Sequence, residues 1–184
     1  MSTTGRGTPP TFETERLILR PFAETDAEDL HCILNQDGIL KYFPGPGSPP
    51  IDKVRAFVAR QTAQWADVGY AWWAVVSKET ERLLGWNGLQ YLPETNETEI
   101  GFLLNSAHWG QGLTTEAGRV GLRFGFEELG LDKIIALAHP DNGASQRVIE
   151  KLGLRFAEET EYFGMTVRRF VVDADVYRSA RPRT

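Results

Sequence analysis

Cysteine is nearly absent from this sequence, since Cys32 is the only one among 184 residues. A single cysteine excludes an intrachain disulfide and a zinc site built from several cysteines. Long apolar runs are also missing, and stretches such as 71–76 and 134–138 fall far short of the ~20 residues that a membrane helix needs. Positive charge is not in excess, because 20 Lys and Arg stand against 25 Asp and Glu, for a net charge of -5. These absences argue against a membrane protein and a nucleic-acid-binding protein, and they favour the cytoplasm.

The length and composition predict one folded domain with short tails. At roughly 150 residues per domain, a chain of 184 residues with 41% hydrophobic residues has no room for a second full domain. Residues 1–10 are mostly Ser, Thr, Gly and Pro, and residues 178–184 are short, basic and contain a proline. We therefore expect flexible tails over 1–10 and 178–184, and a single domain over 11–177.

Hydrophobic periodicity predicts a mixture of helices and strands. Four stretches carry apolar residues at helical spacing, and seven shorter runs have the apolar content or alternation of strands. The predicted helices begin near 26, 54, 113 and 142, and the predicted strands cover 17–19, 72–77, 83–92, 98–104, 133–138, 155–163 and 165–172. The strands of the middle third form an antiparallel meander, so the fold class is α/β or α+β.

The segment Trp-Gly-Gln-Gly-Leu-Thr-Thr-Glu-Ala at 109–117 lies between a predicted strand and a predicted helix. Gly110 and Gly112 let the backbone bend and approach a ligand closely. The first turn of the following helix offers unpaired N–H groups at the positive end of the helix dipole. This arrangement suits a phosphate or pyrophosphate, and a plain turn with Thr114 or Thr115 as helix cap is the alternative.

Two common nucleotide motifs are excluded at this loop. The Lys-Ser or Lys-Thr of a nucleoside triphosphate loop does not follow Gly112. A dinucleotide-binding loop needs a third glycine where Thr115 stands. The loop therefore favours neither ATP nor NAD.

A second polar segment, His-Pro-Asp-Asn at 139–142 followed by Ser145, begins the helix that ends at Leu152-Gly153. Asn142 or Ser145 is well placed there to cap the helix. These segments, read in order, resemble the GNAT superfamily of acetyl-CoA-dependent N-acetyltransferases, and within it the ribosomal-protein N-terminal acetyltransferase-like branch. The residues that carry the resemblance are 14–20, 109–112, 115–117, 139–142, Ser145 and 152–153.

The resemblance runs in register to about Tyr177 and implies a fold and an activity. The fold is a mixed, mostly antiparallel central sheet of about seven strands, flanked by about four helices. The activity is direct transfer of acetyl from acetyl-CoA to a primary amine through a ternary complex, with no metal. The acceptor is a protein N-terminus or a small-molecule amine, and the protein is a monomer or homodimer. A non-catalytic acyl-CoA-binding sensor or scaffold is the alternative.

The resemblance also implies the roles of individual residues. Backbone N–H groups from Gln111 to Thr115 hold the pyrophosphate, and Asn142 contacts the pantetheine arm. The hydroxyl of Ser145 lies near the sulfur and protonates the leaving thiolate. The cofactor-binding residues implied are Phe102, Leu103, Leu104, Trp109, Gly110, Gln111, Gly112, Leu113, Thr114, Thr115, Asn142 and Ser145. The superfamily usually has Gln or Arg where Trp109 stands, and Gly or Ala where Thr114 stands. Cys32 is expected to be a small core residue and not an acyl carrier.

Direct transfer requires a neutral amine, yet an α-amino group has a pKa of ~7.7 to 8.0 and a lysine one of ~10.4. A carboxylate is the natural proton acceptor. Glu99 matches the position of the base in several GNAT enzymes, and Glu161 competes because it lies near the turn of the last strand pair. For either glutamate, a solvated position on a strand is the alternative.

Three groups of residues are candidates for the acceptor surface. The resemblance implies contacts from the Gly- and Pro-rich segment after the first helix, namely Tyr42, Phe43 and Pro44. Four aromatic residues on predicted strands line such a pocket or, as is more common for aromatic residues on strands, belong to the core. They are Trp72, Trp73, Trp86 and Tyr91. Glutamates form an acidic patch that attracts cations if their strands are neighbours; they are Glu94, Glu97, Glu99, Glu158, Glu159 and Glu161.

Overall fold

The computed structural model describes residues 8–45 and 47–180, which contain eight strands and five α-helices. The strands are β1 Phe12–Glu13, β2 Leu17–Arg20, β3 Trp72–Ser77, β4 Leu83–Leu92, β5 Glu97–Leu104, β6 Lys133–Ala138, β7 Arg155–Tyr162 and β8 Met165–Asp173. The helices are α1 Asp26–Leu34, α2 Ile51–Asp67, α3 Leu113–Arg123, α4 Gly143–Lys151 and α5 Ala174–Ser179. A 3-10 turn covers Ser106–His108, and a π-helical turn over Phe124–Glu128 extends α3.

All eight strands belong to one sheet, in the order β1-β2-β3-β4-β5-β6-β8-β7. Every neighbouring pair is antiparallel except β5 and β6, which are parallel. In this parallel pair Glu99 lies opposite Ile135, and no other residues of the two strands are paired in the described part of the chain. Since β5 continues to Leu104 and β6 to Ala138, the two strands separate beyond this position. The sheet is therefore split open at its centre.

The helices cover both faces of the sheet and define two apolar cores. Alternation along β5 sends Ile100 and Leu104 into the core beneath α3, and Leu103 into the core beneath α1 and α2. Side chains that share the face of Leu103 therefore point toward α1 and α2. The fully buried Trp73 and Phe170 are among the largest side chains of the α3 core.

The predicted fold class is confirmed, because the sheet is mixed and mostly antiparallel with helices on both sides. The structure adds β1 and α5 to the seven predicted strands and four predicted helices. β1, with two residues, and α5, with six, are too short to show a hydrophobic period.

Cys32 corrects one expectation, since it is exposed on α1 instead of lying in the core. The buried face of α1 is formed by Ala27, Leu30 and Ile33. A residue two positions after Leu30 lies about 200° around the helix, which is the opposite side.

The predicted tails lie partly outside the described residues, which exclude 1–7 and 181–184. Within the described part, the carbonyl of Pro10 accepts a hydrogen bond from Trp73 Nε1 at 3.0 Å, and α5 extends to Ser179. The domain boundaries at 11 and 177 stay a prediction. Among the helices of the described residues, none is both long enough and apolar enough to cross a membrane.

Candidate active site

A cavity of about 750 Å³ occupies the gap between the separated ends of β5 and β6. At one end it is lined by Thr114 at the start of α3 and by Ser145 in α4. It is also lined by Trp72 of β3, which packs in the core beneath α1 and α2, and by Tyr42 from the loop between α1 and α2, which stacks on His139 before α4. The opening of the sheet therefore joins the α3 face to the face that α1 and α2 cover.

The loop before α3 presents free backbone N–H groups to this cavity. Gly110 and Gly112 have φ of +76° and +79°, in the left-handed region that glycine adopts without strain. The first helical hydrogen bond of α3 runs from Glu116 N to Gly112 O, at 3.0 Å. The N–H groups of residues 113, 114 and 115 therefore have no partner within the helix and lie at the positive end of its dipole.

The surface of this loop is open enough to receive a ligand. A Cβ built on Gly110 would have no heavy atom of another residue within 4 Å. A Cβ on Gly112 would lie 3.7 Å from Arg16 Nη2, so a guanidinium stands beside the free amides. The open backbone and the free amides at the start of the helix fit a phosphate group.

Arg16 and Glu116 hold the loop in place. Arg16 Nη1 donates to Gln111 O at 3.0 Å, and Arg16 Nε donates to Glu116 Oε2 at 2.7 Å. Thr14 Oγ1 donates to the other carboxylate oxygen of Glu116 at 2.6 Å. Burial acts to raise the pKa of Glu116, but the bonds from Thr14 and Arg16 outweigh it and hold this pKa below its ordinary value. Both residues lie in motifs visible in the sequence, yet only the fold shows that they meet.

Trp109 ties the same loop to the end of β5. Its indole Nε1 donates to Leu104 O at 2.7 Å, while the side chain stays 55% exposed. The resemblance predicts a cofactor contact for Trp109, and the residue lines the cavity. Ten of the twelve predicted cofactor-binding residues line the cavity; the other two are Gln111 and Leu113. Leu113 is buried in the core, and the side chain of Gln111 donates to Ala107 O at 3.3 Å.

Asn142 caps α4 through its side chain, whose Oδ1 accepts a hydrogen bond from Ser145 N at 3.1 Å. The capping interpretation of Asn142 is therefore confirmed. Both Asn142 and Ser145 also line the cavity. Since the cap uses the backbone N of Ser145 and not its hydroxyl, capping does not occupy the side chain of Ser145. Gln146 fixes the same turn by donating to Pro140 O at 2.8 Å.

Glu99 lies at the floor of the opening, in the position where β5 and β6 begin to separate. Its carboxyl group is buried and accepts a hydrogen bond from Gln90 Nε2 at 2.6 Å. Burial raises the pKa of Glu99 to about 7, although the bonds from Gln90 and from the backbone of Leu137 act to lower it. A carboxyl group with this pKa is suited to take up and release a proton near neutral pH.

Glu97 lies two residues earlier on the same strand and has the opposite electrostatics. Its carboxylate contacts Arg169, accepts from Tyr162 OH at 2.7 Å and lies 2.9 Å from Lys133 Nζ. Burial acts to raise its pKa, but the bonds from Arg169, Tyr162 and Lys133 lower the pKa of Glu97 to about 2. Glu97 therefore stays ionised and paired with basic side chains near neutral pH, whereas Glu99 gains and loses a proton there.

Glu161, the other predicted base, does not line the cavity. It is exposed on β7, where its carboxylate accepts a hydrogen bond from Thr166 Oγ1 at 2.6 Å. The residues that follow Glu161 in the chain, Tyr162 and Phe163, line the cavity instead. Of the two candidate bases, Glu99 alone lies at the cavity.

The strands of the predicted acidic patch are not neighbours, because β6 and β8 lie between β5 and β7 in the sheet, and Arg169 bridges Glu97 on β5 and Glu158 on β7. Basic side chains also pair with these glutamates. Arg169 lies 3.2 Å from Glu158, and Arg168 lies 3.9 Å from Glu159. The sequence shows the glutamates but not the strand order that separates them.

Aromatic residues line the end of the cavity that faces α1 and α2. Trp72 and Trp86 stack with ring centroids 4.0 Å apart and an angle of 14° between the planes. Phe43 lies edge-on to Trp86 at 6.0 Å, and Tyr42 stacks on His139 at 5.2 Å. The expected contacts from this loop, Tyr42, Phe43 and Pro44, all line the cavity.

The other two aromatic candidates lie elsewhere. Trp73 is fully buried in the α3 core, and Tyr91 is exposed and donates to Asn96 Oδ1 at 2.8 Å. Within 8–45 and 47–180, no group of three or more His, Cys, Asp or Glu side chains is arranged to hold a metal ion.

Comparison with known proteins finds related sequences and folds. The family model described as an acetyltransferase (GNAT) domain matches residues 16–155. The uncharacterized N-acetyltransferase YoaA of Bacillus subtilis is 27% identical over 175 residues, which cover 95% of this chain and 98% of that protein.

Solved structures share the fold over almost their whole length. A crystal structure of a GNAT-family acetyltransferase from Bacillus anthracis has a TM-score of 0.78 and 25% identity, over 90% of this chain and 99% of that one. The ribosomal L7/L12 α-N-protein acetyltransferase RimL, solved with coenzyme A, has a TM-score of 0.75 and 18% identity. The match covers 91% of this chain and 99% of that one. This second likeness concerns the fold alone.

Proposed function

Starting from the fact that this chain belongs to the GNAT acetyltransferases, we propose that it transfers acetyl from acetyl-CoA directly to a primary amine in a ternary complex. The observation that carries this proposal is the buried Glu99, with a pKa of about 7, between the free amides of α3 and the aromatic end of the cavity. We place the reaction in the cytoplasm, as the charge and the single cysteine predict, and expect a monomer or homodimer.

Acetyl-CoA fits the α3 end of the cavity. The unused N–H groups of residues 113–115 suit its pyrophosphate. The pantetheine arm carries amide groups, and the β6 side of β5 from Phe102 to Leu104 has no strand partner among the described residues. An extended chain with amides satisfies such an open strand edge by hydrogen bonding. The thioester then lies near Ser145 and Glu99, which line the same gap.

In the proposed reaction Glu99 takes a proton from the bound ammonium group, either directly or through water. The neutral nitrogen attacks the thioester carbonyl, so that a C–N bond forms and the C–S bond breaks. The departing thiolate takes a proton from the hydroxyl of Ser145, and that hydroxyl regains its proton from the nitrogen, which loses its second proton as the amide forms. No covalent acyl-enzyme is needed, because amine and thioester are both bound when the bond forms.

Replacing Ser145 with alanine is expected to lower kcat on the order of tenfold, with KM for acetyl-CoA unchanged. The effect is modest because a thiol with a pKa of ~8.5 is already a fair leaving group. The helix cap survives, since Asn142 binds the backbone N of Ser145 and not its hydroxyl. Steady-state kinetics and a thermal melt test this prediction, and an undiminished kcat would remove Ser145 from the mechanism.

The proposed function is tested by amine-dependent release of free thiol from acetyl-CoA, with initial rates measured while both substrates are varied. A ternary complex gives intersecting double-reciprocal lines, whereas an acyl-enzyme gives the parallel lines of a ping-pong reaction. Binding of acetyl-CoA without thiol release, across small amines and peptides, would instead favour the sensor or scaffold.

A further inference from the structure

The two ends of the cavity differ in their chemistry, and Glu99 lies between them. The α3 end offers backbone amides, whereas the other end is walled by Trp72, Trp86 and Phe43. Alternation along β5 puts Glu99, Gly101 and Leu103 on the face of these indoles, since Leu103 packs in their core cluster. If acetyl-CoA occupies the α3 end, the acceptor amine enters along the aromatic wall.

Gly101 brings the stacked indoles close to Glu99. A Cβ at this position would lie 3.4 Å from atoms of both Trp72 and Trp86, which is van der Waals contact, so the indoles lie directly against the backbone of Gly101. Gly101 lies two residues after Glu99, which corresponds to about 7 Å along a strand. A hydrogen bond of about 2.8 Å from Glu99 to the nitrogen, one or two carbons and the near half of a flat ring together cover about this separation.

The wall is built by three separate parts of the chain and is partly open to the cavity. The sheet contributes the indole pair, the loop after α1 contributes Phe43, and the hairpin between β7 and β8 contributes Phe163 and Met165. Phe43 is 36% exposed and Phe163 is 54% exposed, whereas Trp86 is buried with 6% exposed and backs the wall. Exposed aromatic rings around a concave site favour an occupant that covers them with an apolar, planar surface.

The charges that line the cavity are unsuited to a polycation. Its carboxylates, within the described part of the chain, are Glu99 and Asp141. Asp141 lies beside His139 at the start of α4, with 3.9 Å between its Oδ2 and the imidazole Nδ1. Lys41 also lines the cavity and adds positive charge. One ammonium group finds a partner at Glu99, whereas the remaining charges of a polyamine or basic peptide find only Asp141, beside His139, and meet Lys41.

On the basis of the proposed function, we propose that the acceptor is a primary amine carried one or two carbons from a planar aromatic group. The ring lies against Trp72, Trp86 and Phe43, and the nitrogen lies at Glu99. This chemistry is shared by free arylalkylamines and by peptides whose first residue is aromatic.

The test compares kcat/KM for thiol release at saturating acetyl-CoA across matched amines. Phenethylamine and tryptamine are expected to exceed hexylamine, an apolar amine without a ring, by about tenfold or more, and spermidine by a larger factor. A peptide beginning with Phe and the same peptide beginning with Ser separate the two sources of the aromatic amine. Equal kcat/KM values for phenethylamine and hexylamine would overturn the inference. Where peptides are the better acceptors, equal kcat/KM values for the two peptides would overturn it as well.

Phe43→Ala provides a variant with little risk to the fold, because Phe43 lies on a loop. It is expected to raise KM for phenethylamine about fivefold or more and to leave KM for acetyl-CoA unchanged. Tyr91→Ala is the matched control, since Tyr91 is 37% exposed and lies outside the cavity. Trp72→Leu adds a larger change in the same direction.

These results distinguish failure of the inference from failure of the proposed function. Turnover of other amines without preference for a ring would overturn the inference and leave the acetyltransferase function intact. Equal KM values for phenethylamine in the Phe43 and Tyr91 variants would likewise contradict the aromatic wall. Absence of thiol release with every amine and peptide would contradict the proposed function itself.

Discussion

Glu99→Gln is expected to lower kcat/KM for amine acetylation by about 10²- to 10⁴-fold near neutral pH, the usual contribution of a general base. Glutamine has nearly the same shape and still reaches Gln90, but its amide cannot take a proton from the ammonium group. Glu99 lies at the floor of the cavity and not in the loop before α3, so acetyl-CoA binding is expected to be unchanged.

The pH dependence identifies Glu99 more sharply than the loss of rate does. Burial raises the pKa of this carboxyl group to about 7, so it is protonated and inactive as a base below that pH. For the unmodified protein kcat/KM is therefore expected to rise about tenfold per pH unit up to pH ~7 and then to level off. Glu99→Gln is expected to show no break near 7, and its rate follows the free-amine fraction up to the amine's own pKa.

Two further variants control this experiment. Glu161→Gln removes a carboxylate that is exposed and outside the cavity, so a change of less than about twofold is expected. Gln90→Leu removes a hydrogen bond that lowers the pKa of Glu99, so the break is expected to move to higher pH. A break near pH 7 that persists in Glu99→Gln would place the base elsewhere.

Thr114→Pro is expected to weaken acetyl-CoA binding by about 10- to 100-fold, which corresponds to the loss of one hydrogen bond to a charged group. Proline lacks the backbone N–H that the proposal assigns to the pyrophosphate. The helix does not use this N–H, because the first intrahelical bond of α3 begins at Glu116 N. Proline is also tolerated in the first turn of a helix, so the fold is expected to survive.

Thr114→Ala is the control, because it removes the side chain and keeps the N–H. Its dissociation constant for acetyl-CoA, measured by calorimetry, is expected to stay within about threefold of the unmodified protein. Unligated melting temperatures show whether both variants fold. If Thr114→Pro folds and binds acetyl-CoA as tightly as Thr114→Ala, the first turn of α3 does not hold the pyrophosphate.

Features that depend on neighbouring residues were predictable from the sequence. The pair of glycines before α3 and the spacing of Leu113, Ala117 and Val120 are local signals, and both the turn and the helix are found. The cap at the start of α4 is local as well, because Asn142 and Ser145 are three residues apart. The resemblance to the GNAT superfamily, and not a local signal, marked Glu99 as a candidate base.

Features that depend on strand order and register were not predictable. Arg16 and Glu116 are 100 residues apart in sequence and meet only through the sheet. The raised pKa of Glu99 arises from burial at the point where β5 and β6 separate, which alternation along one strand does not show. The stack of Trp72 on Trp86 likewise depends on the pairing of β3 with β4.

Thermal unfolding with separate ligands shows whether the opening between β5 and β6 is an acetyl-CoA site. A ligand at ~100 times its dissociation constant adds ~2.7 kcal/mol, which for a chain of this size raises Tm by about 5 to 11 °C. This rise is expected with acetyl-CoA and with coenzyme A, and none of that size with NAD or ATP at the same concentration. No rise with either form of coenzyme A, or an equal rise with ATP, would contradict an acetyl-CoA site at this opening.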